Sequence, residues 1–155
     1  MFVVGWFLFL SLEENIAIVY RLAEAINEKD LDALDDIMAN DFVDLDQNLN
    51  GLESFKKYES MFLQGFPDMH LTVKDIVAKG DRVWIRSEIT ATNTGEFRGL
   101  PPTGNKIIFK NFMIWRIING KIAERESQVW DFMDFYKKLG IIKYTETGKK
   151  LFPEK

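Results

Sequence analysis

The sequence predicts an α+β fold in which N-terminal helices pack against a curved antiparallel sheet. Apolar residues recur at the helical period up to about residue 65, and at a period of two from about residue 68 onward. Helices followed by a run of strands are the usual order in an α+β domain. The later strands reach ten or more residues, so we expect the sheet to curl and to leave a concave face beneath the helices.

Three helices are predicted in the first half. Ser11 and Glu14 form a capping box that opens a helix running to about Lys29. The predicted buried stripe of this helix is Ile16, Val19, Tyr20, Ala23 and Ile26. Asp30 is expected to cap a short second helix, whose inward residues are Leu31, Leu34, Ile37 and Met38. A third helix follows Asn50-Gly51 and carries Leu52, Phe55, Met61 and Phe62.

Five strands and a closing helix complete the predicted order. The strands are expected at residues 41–46, 70–77, 82–93, 106–118 and 121–129. Asn119-Gly120 lies between two alternating runs and predicts a tight hairpin. Residues 98–105 are predicted to form a loop, because their two prolines cannot join a strand ladder. The closing helix is expected at about 131–139.

Length and composition favour one domain over residues 1–155. The net charge is −4 and the basic residues are scattered, which disfavours nucleic acid as a partner. The absence of cysteine excludes disulfides and thiolate chemistry, and fits a cytoplasmic protein. With His70 as the single histidine and no calcium-binding loop, no metal site is predicted. The aromatic share of 14% suggests a core or a cavity with large rigid walls.

Residues 1–10 are all apolar or glycine. Ten residues are too few to span a bilayer, which needs roughly 20. A signal peptide would need a basic start and a small-residue cleavage site, and the segment has neither. We therefore expect a segment that packs on the domain or on a partner subunit. A signal or anchor and a mis-assigned start codon are the alternatives.

Residues 95–104, GEFRGLPPTG, resemble the SnoaL-like polyketide cyclases of the nuclear-transport-factor-2-like and ketosteroid-isomerase-like superfamily. Three further stretches agree in the same order, namely 66–71, 119–124 and Trp130-Asp131. The resemblance covers most of a domain at residues 11–140. It leaves out the apolar start and a tail at 141–155.

The resemblance implies a cone-shaped α+β barrel, often dimeric through its sheet, with a hydrophobic cavity at the open end. Characterised relatives use one carboxylate for acid/base chemistry at carbon, without metal, nucleotide or flavin. We therefore expect no cofactor, a small apolar carbonyl compound as ligand, a homodimer, and no membrane association. Fold is weak information about reaction, however, because this superfamily also contains members with other roles.

Asp131 matches the position of the acid/base aspartate of the cyclases and follows Trp130. Burial beside an indole would favour the protonated carboxyl that a proton shuttle needs. The alternative is that Asp131 caps the closing helix with a side-chain oxygen.

Asp46 falls where the ketosteroid isomerases carry their general base, so it is the second catalytic candidate. Asp44 and Phe42 share its predicted strand face. The alternative for Asp46 is a solvated strand end that runs into a polar loop.

The predicted pocket wall comes from the first helix and the strands. It consists of Tyr20, Phe42, Phe109, Asn111, Met113, Trp115 and Trp130. Tyr20 would donate a hydrogen bond to a substrate oxygen or, alternatively, to a backbone carbonyl. In residues 109–115 every second side chain lies on one face of the strand. That face would line a ligand pocket or, alternatively, belong to the plain hydrophobic core.

Two departures from the relatives weaken a cyclase assignment. Asn93 and Met113 stand where relatives carry histidines, so an imidazole relay is missing. Arg125 and Glu126 are predicted to form a charge pair on the sheet surface. The leading hypothesis is a cofactor-independent cyclase or isomerase with Asp131 as the shuttle and Asp46 or Tyr20 assisting. The rival is a noncatalytic ligand-binding or dimerisation module.

Overall fold

Eleven helices and strands form the part of the chain that the computed structural model describes, residues 11–151. The side chains of Ser127, Gln128 and Trp130 and the predicted segment 1–10 lie outside this description. In chain order the elements are α1 Leu12–Glu28, α2 Leu34–Ile37, β1 Met38–Asp44, β2 Leu49–Asn50, α3 Leu52–Gly65, β3 His70–Lys79, β4 Arg82–Thr92, β5 Lys106–Ile118, β6 Lys121–Trp130, α4 Phe132–Lys138 and α5 Glu146–Leu151.

The strands form one curved, unclosed sheet in the order β2-β1-β6-β5-β4-β3. This confirms the predicted α+β class and the helices-first order. Each neighbouring pair is antiparallel except β1 and β6, which run parallel. The first strand was expected at 41–46 but ends at Asp44, where the chain turns back. The strand β2 and the helix α5 were not predicted, and Met38, expected on the second helix, begins β1.

The capping box at the start of α1 is present as predicted. The backbone N–H of Glu14 donates to Ser11 Oγ at 3.2 Å, and the backbone N–H of Ser11 donates to the Glu14 carboxylate at 2.6 Å. The Asn15 side chain then donates to the carbonyl of Gly80 at 3.1 Å, which fixes the start of α1 to the β3–β4 turn. Within residues 11–151, the structure contains no helix with the length and apolarity needed to cross a membrane.

The loop that carries the GEFRGLPPTG string is held on the end of α3 by Asn93. The Asn93 amide donates to the carbonyls of Gly65 and Gly95, and its oxygen accepts from the Thr103 backbone at 2.8 Å. Phe97 is buried beneath this loop, and its ring centroid lies 5.0 Å from that of Phe62. Asn93 is therefore part of the scaffold of this loop.

Gly95 is required because the backbone of α3 approaches it closely. A Cβ at this position would lie 1.8 Å from the backbone oxygen of Gln64. We expect Gly95→Ala to lower the free energy of unfolding by about 2–3 kcal/mol, since the loop must move off α3. Urea unfolding measures the change. Gly99→Ala is the comparison: its positive φ of 78° costs an alanine about 1 kcal/mol, but no neighbouring atom lies within 4 Å of its Cβ. Equal losses in the two variants would contradict the close-contact explanation.

Candidate functional site

A cavity lies between α1, α3 and the concave face of the sheet. Its volume is about 60 Å³. Its wall is mainly apolar, with Val19, Leu22, Ala23 and Ile26 contributed by α1. Polar side chains also line it, namely Tyr58 and Glu59 from α3, Asn111 from β5 and Arg125 from β6.

Glu59 is the carboxylate that reaches this cavity. It lies four residues after Phe55 and three before Phe62, and the helical period therefore places it on the inner face of α3, where its side chain is half-buried. Removal from water raises the pKa of Glu59 from 4.5 to about 7; the Arg125 charge opposes this rise and the Asp44 charge adds to it. Both protonation states of Glu59 are thus populated near neutral pH.

Arg125 is buried against Asp44 rather than exposed. Only 2% of Arg125 is accessible, Asp44 is fully buried, and the guanidinium donates to Asp44 Oδ2. The other oxygen, Asp44 Oδ1, accepts from the backbone N–H groups of Asp46 and Gln47 at 3.1 and 3.0 Å. The predicted surface pair of Arg125 with Glu126 is therefore wrong: Glu126 pairs with Arg82.

Irregularities in β6 explain why Arg125 faces inward. Ile117 pairs with Ile122, and Trp115 pairs with Arg125. Between these two pairs the chain moves along by two residues in β5 but by three in β6. This extra residue is a β-bulge, and it reverses the alternation beyond it. Without the bulge, the buried Ile122 would place Arg125 on the outer face.

Aromatic rings surround the Arg125 guanidinium. Its Cζ lies 5.4 Å from the ring centroid of Phe55, 5.5 Å from Trp115 and 5.7 Å from Tyr58. Such cation–π contacts stabilise a guanidinium that has left water. Burial also raises the pKa of the Tyr58 phenol to about 12, against the lowering effect of Arg125, so Tyr58 stays protonated at neutral pH.

Three donors of the cavity wall have no hydrogen-bond partner among the described residues. They are Asn111 Nδ2, Trp115 Nε1 and Arg125 Nε. Ser87 Oγ donates to Asn111 Oδ1, which fixes the amide and leaves its N–H₂ group available. Buried donors without partners are uncommon in folded proteins, so three on one cavity call for an explanation.

Four predicted wall residues line this cavity: Phe109, Asn111, Met113 and Trp115. Their alternate burial along β5 confirms the period-two analysis. Phe42 is fully buried but lies outside the lining, because it packs edge-on against Phe55 with centroids 5.1 Å apart.

The two predicted catalytic aspartates lie outside the cavity lining. Asp131 is exposed, and its Oδ1 accepts the backbone N–H of Asp134 at 2.9 Å, which is the capping role offered as the alternative. Asp46 is exposed in the turn after β1, because the strand ends two residues before it. A proton-transfer role for either residue stays a prediction that this geometry does not favour.

Tyr20 was predicted on the buried stripe of α1, and this is wrong. Tyr20 is 48% exposed, because the buried face is centred on Val19, Leu22 and Ile26, about 100° around the helix. The side chain of Trp130 lies outside the described part of the chain. His70 is exposed on the edge strand β3, as predicted.

In residues 11–151, no cluster of three or more histidine or acidic side chains could hold a metal ion. The site that the structure does assemble is a carboxylate, a buried guanidinium and neutral donors around an apolar cavity. That combination suits proton transfer to or from an apolar molecule.

Comparisons with known proteins agree with this architecture. Aklanonic acid methyl ester cyclase DauD from Streptomyces sp. strain C5 is 25% identical over 138 residues, covering 83% of each chain. The structure of TsrD from Streptomyces laurentii superposes with a TM-score of 0.79 at 21% identity, over 86% of this chain and 99% of that one. AclR from Streptomyces galilaeus gives 0.78 at 28% identity, over 92% and 96%. The family model of the SnoaL-like polyketide cyclases matches residues 17–139, and the chain belongs to that family.

Proposed function

We propose that this protein catalyses cofactor-independent acid/base chemistry on a small apolar carbonyl compound, with Glu59 as the group that moves the proton. The observation that carries the proposal is the position of Glu59 in an apolar cavity, where burial raises its pKa to about 7. A general acid/base works best when its pKa lies near the operating pH. Membership of a cyclase family supports the same class of reaction.

The chemistry begins with ionised Glu59, which accepts a proton from the carbon next to the carbonyl group. The C–H electrons form the C=C bond of an enolate, and the carbonyl π electrons move to oxygen. In an isomerase the carboxyl returns the proton to another carbon. In a cyclase the enolate carbon bonds to a second carbonyl carbon of the same molecule, and Glu59 protonates the resulting alkoxide.

Hydrogen exchange at carbon tests this proposal without knowledge of the natural substrate. Cyclohexanone and 1-indanone would be incubated with the protein in D₂O, and loss of the α-hydrogen signals followed by proton NMR. We expect exchange faster than in buffer, at a rate that rises with pH and is half-maximal near pH 7, where Glu59 ionises. A rate equal to that in buffer across pH 5–9 would argue against acid/base chemistry in this cavity.

We also propose that two copies associate through the outer face of the sheet. Val77, Phe112 and Val129 are exposed there, and Phe112 is 54% accessible. The strand register places Phe112 directly beside Val129, and Val77 beside Trp84, which in turn pairs with Ile114. Exposed apolar side chains that lie next to one another on a sheet face are typical of a protein–protein contact.

Phe112→Lys is expected to shift this protein from dimer to monomer, because a charge would be buried at the centre of the contact. Sedimentation velocity measures the change at micromolar concentration. Ile108→Lys is the control, since Ile108 is comparably exposed on the same strand but four residues away. A dimer that persists in Phe112→Lys would place the contact elsewhere.

A further inference from the structure

The three unpaired donors of the cavity explain how a ligand would be oriented. Asn111, Trp115 and Arg125 are each at most 2% accessible, and each has a donor with no partner among the described residues. An indole N–H and a guanidinium N–H donate but never accept, so the group that satisfies them must be an acceptor, such as an oxygen of the ligand. These three donors are defined here as the donor set.

We propose that the donor set is an oxyanion site, so that the cavity binds its ligand through a negatively charged oxygen while Glu59 holds a proton. The inference rests on the proposed function, because the enolate formed by proton transfer to Glu59 is such an anion. It adds that stable carboxylates about the size of this enolate bind in the cavity as ligands. Fixed donors aimed at developing negative charge are a large source of catalysis.

The charges around the cavity support this protonation state. Arg125 from β6 and Asp44 from β1 neutralise each other as a buried pair. Among the described residues, α1, β3, β4 and β5 contribute no charged side chain to the lining. With Glu59 ionised the site carries one net negative charge, which repels an anion. With Glu59 protonated the site is neutral, and the donor set governs binding.

The register of the sheet holds the donor set in a fixed arrangement. Trp115 pairs directly with Arg125, and Asn111 lies four residues from Trp115 on the same face of β5. Ser87 and Asp44 hold the Asn111 amide and the Arg125 guanidinium from the neighbouring strands. Donors fixed in this way need little reorganisation when an anionic oxygen binds.

Acetate and benzoate, with acetamide and benzamide as uncharged partners, test the proposal by calorimetry and NMR. We expect the carboxylates to bind at least tenfold more tightly than the amides at pH 6. At pH 8 we expect the carboxylates to bind more weakly, and the complex to take up close to one proton from solution. Calorimetry in two buffers of different ionisation enthalpy measures this proton uptake. The indole N–H signal of Trp115, assigned by its loss in Trp115→Phe, should move downfield on binding.

Trp115→Phe removes one donor and keeps an aromatic ring, and should weaken carboxylate binding about tenfold. Trp84→Phe, outside the cavity lining, should leave it unchanged. Carboxylates that bind no better than the amides, or as tightly to Trp115→Phe as to the unaltered protein, would overturn the oxyanion site. Carboxylate binding that moves the Trp115 signal but takes up no proton, and is unaltered in Glu59→Gln, would keep the donor set and remove Glu59 as the proton carrier.

Discussion

Glu59→Gln is expected to lower the rate of α-hydrogen exchange in 1-indanone by about 10²–10⁴-fold. Glutamine has nearly the same shape but cannot take a proton from carbon. The expected loss is in kcat rather than in KM, since the apolar wall that binds the ketone is unchanged. The measurement is proton NMR of the α-hydrogens at pH 8, where the unaltered Glu59 is ionised.

The same substitution has a consequence for stability that does not depend on any substrate. Folding raises the pKa of Glu59 from 4.5 to about 7, so the folded state binds the proton more tightly than the unfolded state. The stabilisation that the folded state gains from binding this proton is complete below about pH 4.5 and is lost as pH rises through 7. Glu59→Gln should therefore gain stability relative to the unaltered protein between pH 5 and pH 7.5. Urea unfolding at both pH values measures it.

Asp131→Asn is the matched control for both measurements. Asparagine caps helices as well as aspartate does, so α4 should remain intact. We expect its exchange rate and its stability profile to follow those of the unaltered protein. If Asp131→Asn abolished exchange and Glu59→Gln did not, Asp131 at the N-terminus of α4 would be the proton carrier. The assignment of Glu59 would then have to be abandoned.

Much of the framework could be predicted because it depends on local patterns. The Ser11 cap and the Asn119-Gly120 turn are set by neighbouring residues, and both elements form where expected. The long strand β5 alternates without interruption from Lys106 to Ile118, so its inward residues could be predicted from the sequence. A regular period over many residues is the most dependable signal in a sequence.

The chemical centre could not be predicted, because it depends on departures from those patterns. The bulge at Ala123 turns Arg125 inward, and strict alternation places it outside. Glu59 is a charged residue, and charged residues usually face water, but its spacing from Phe55 and Phe62 puts it on the inner face of α3. The early end of β1 separates Asp44, which is buried, from Asp46, which is exposed.

Asp44→Asn is expected to lower the free energy of unfolding by about 3–5 kcal/mol, the usual cost of leaving a buried charge without its partner. The amide oxygen can still accept from the Asp46 and Gln47 backbone, so the turn after β1 is retained and the loss belongs to the ion pair. Urea unfolding at pH 8 gives the change.

A second substitution separates the ion pair from simple loss of packing at this position. Adding Arg125→Met to Asp44→Asn removes the unpaired charge and keeps a long side chain among the rings of Phe55, Tyr58 and Trp115. The double variant should recover at least half of the lost stability, since apolar replacement of a whole buried pair is often neutral. An Asp44→Asn variant within 1 kcal/mol of the unaltered protein would mean that Glu59 takes over as the partner of Arg125. In that event the pH dependence of stability attributed to Glu59 should move to lower pH in the same variant, because the Asp44 charge raises the pKa of Glu59 and the Arg125 charge lowers it.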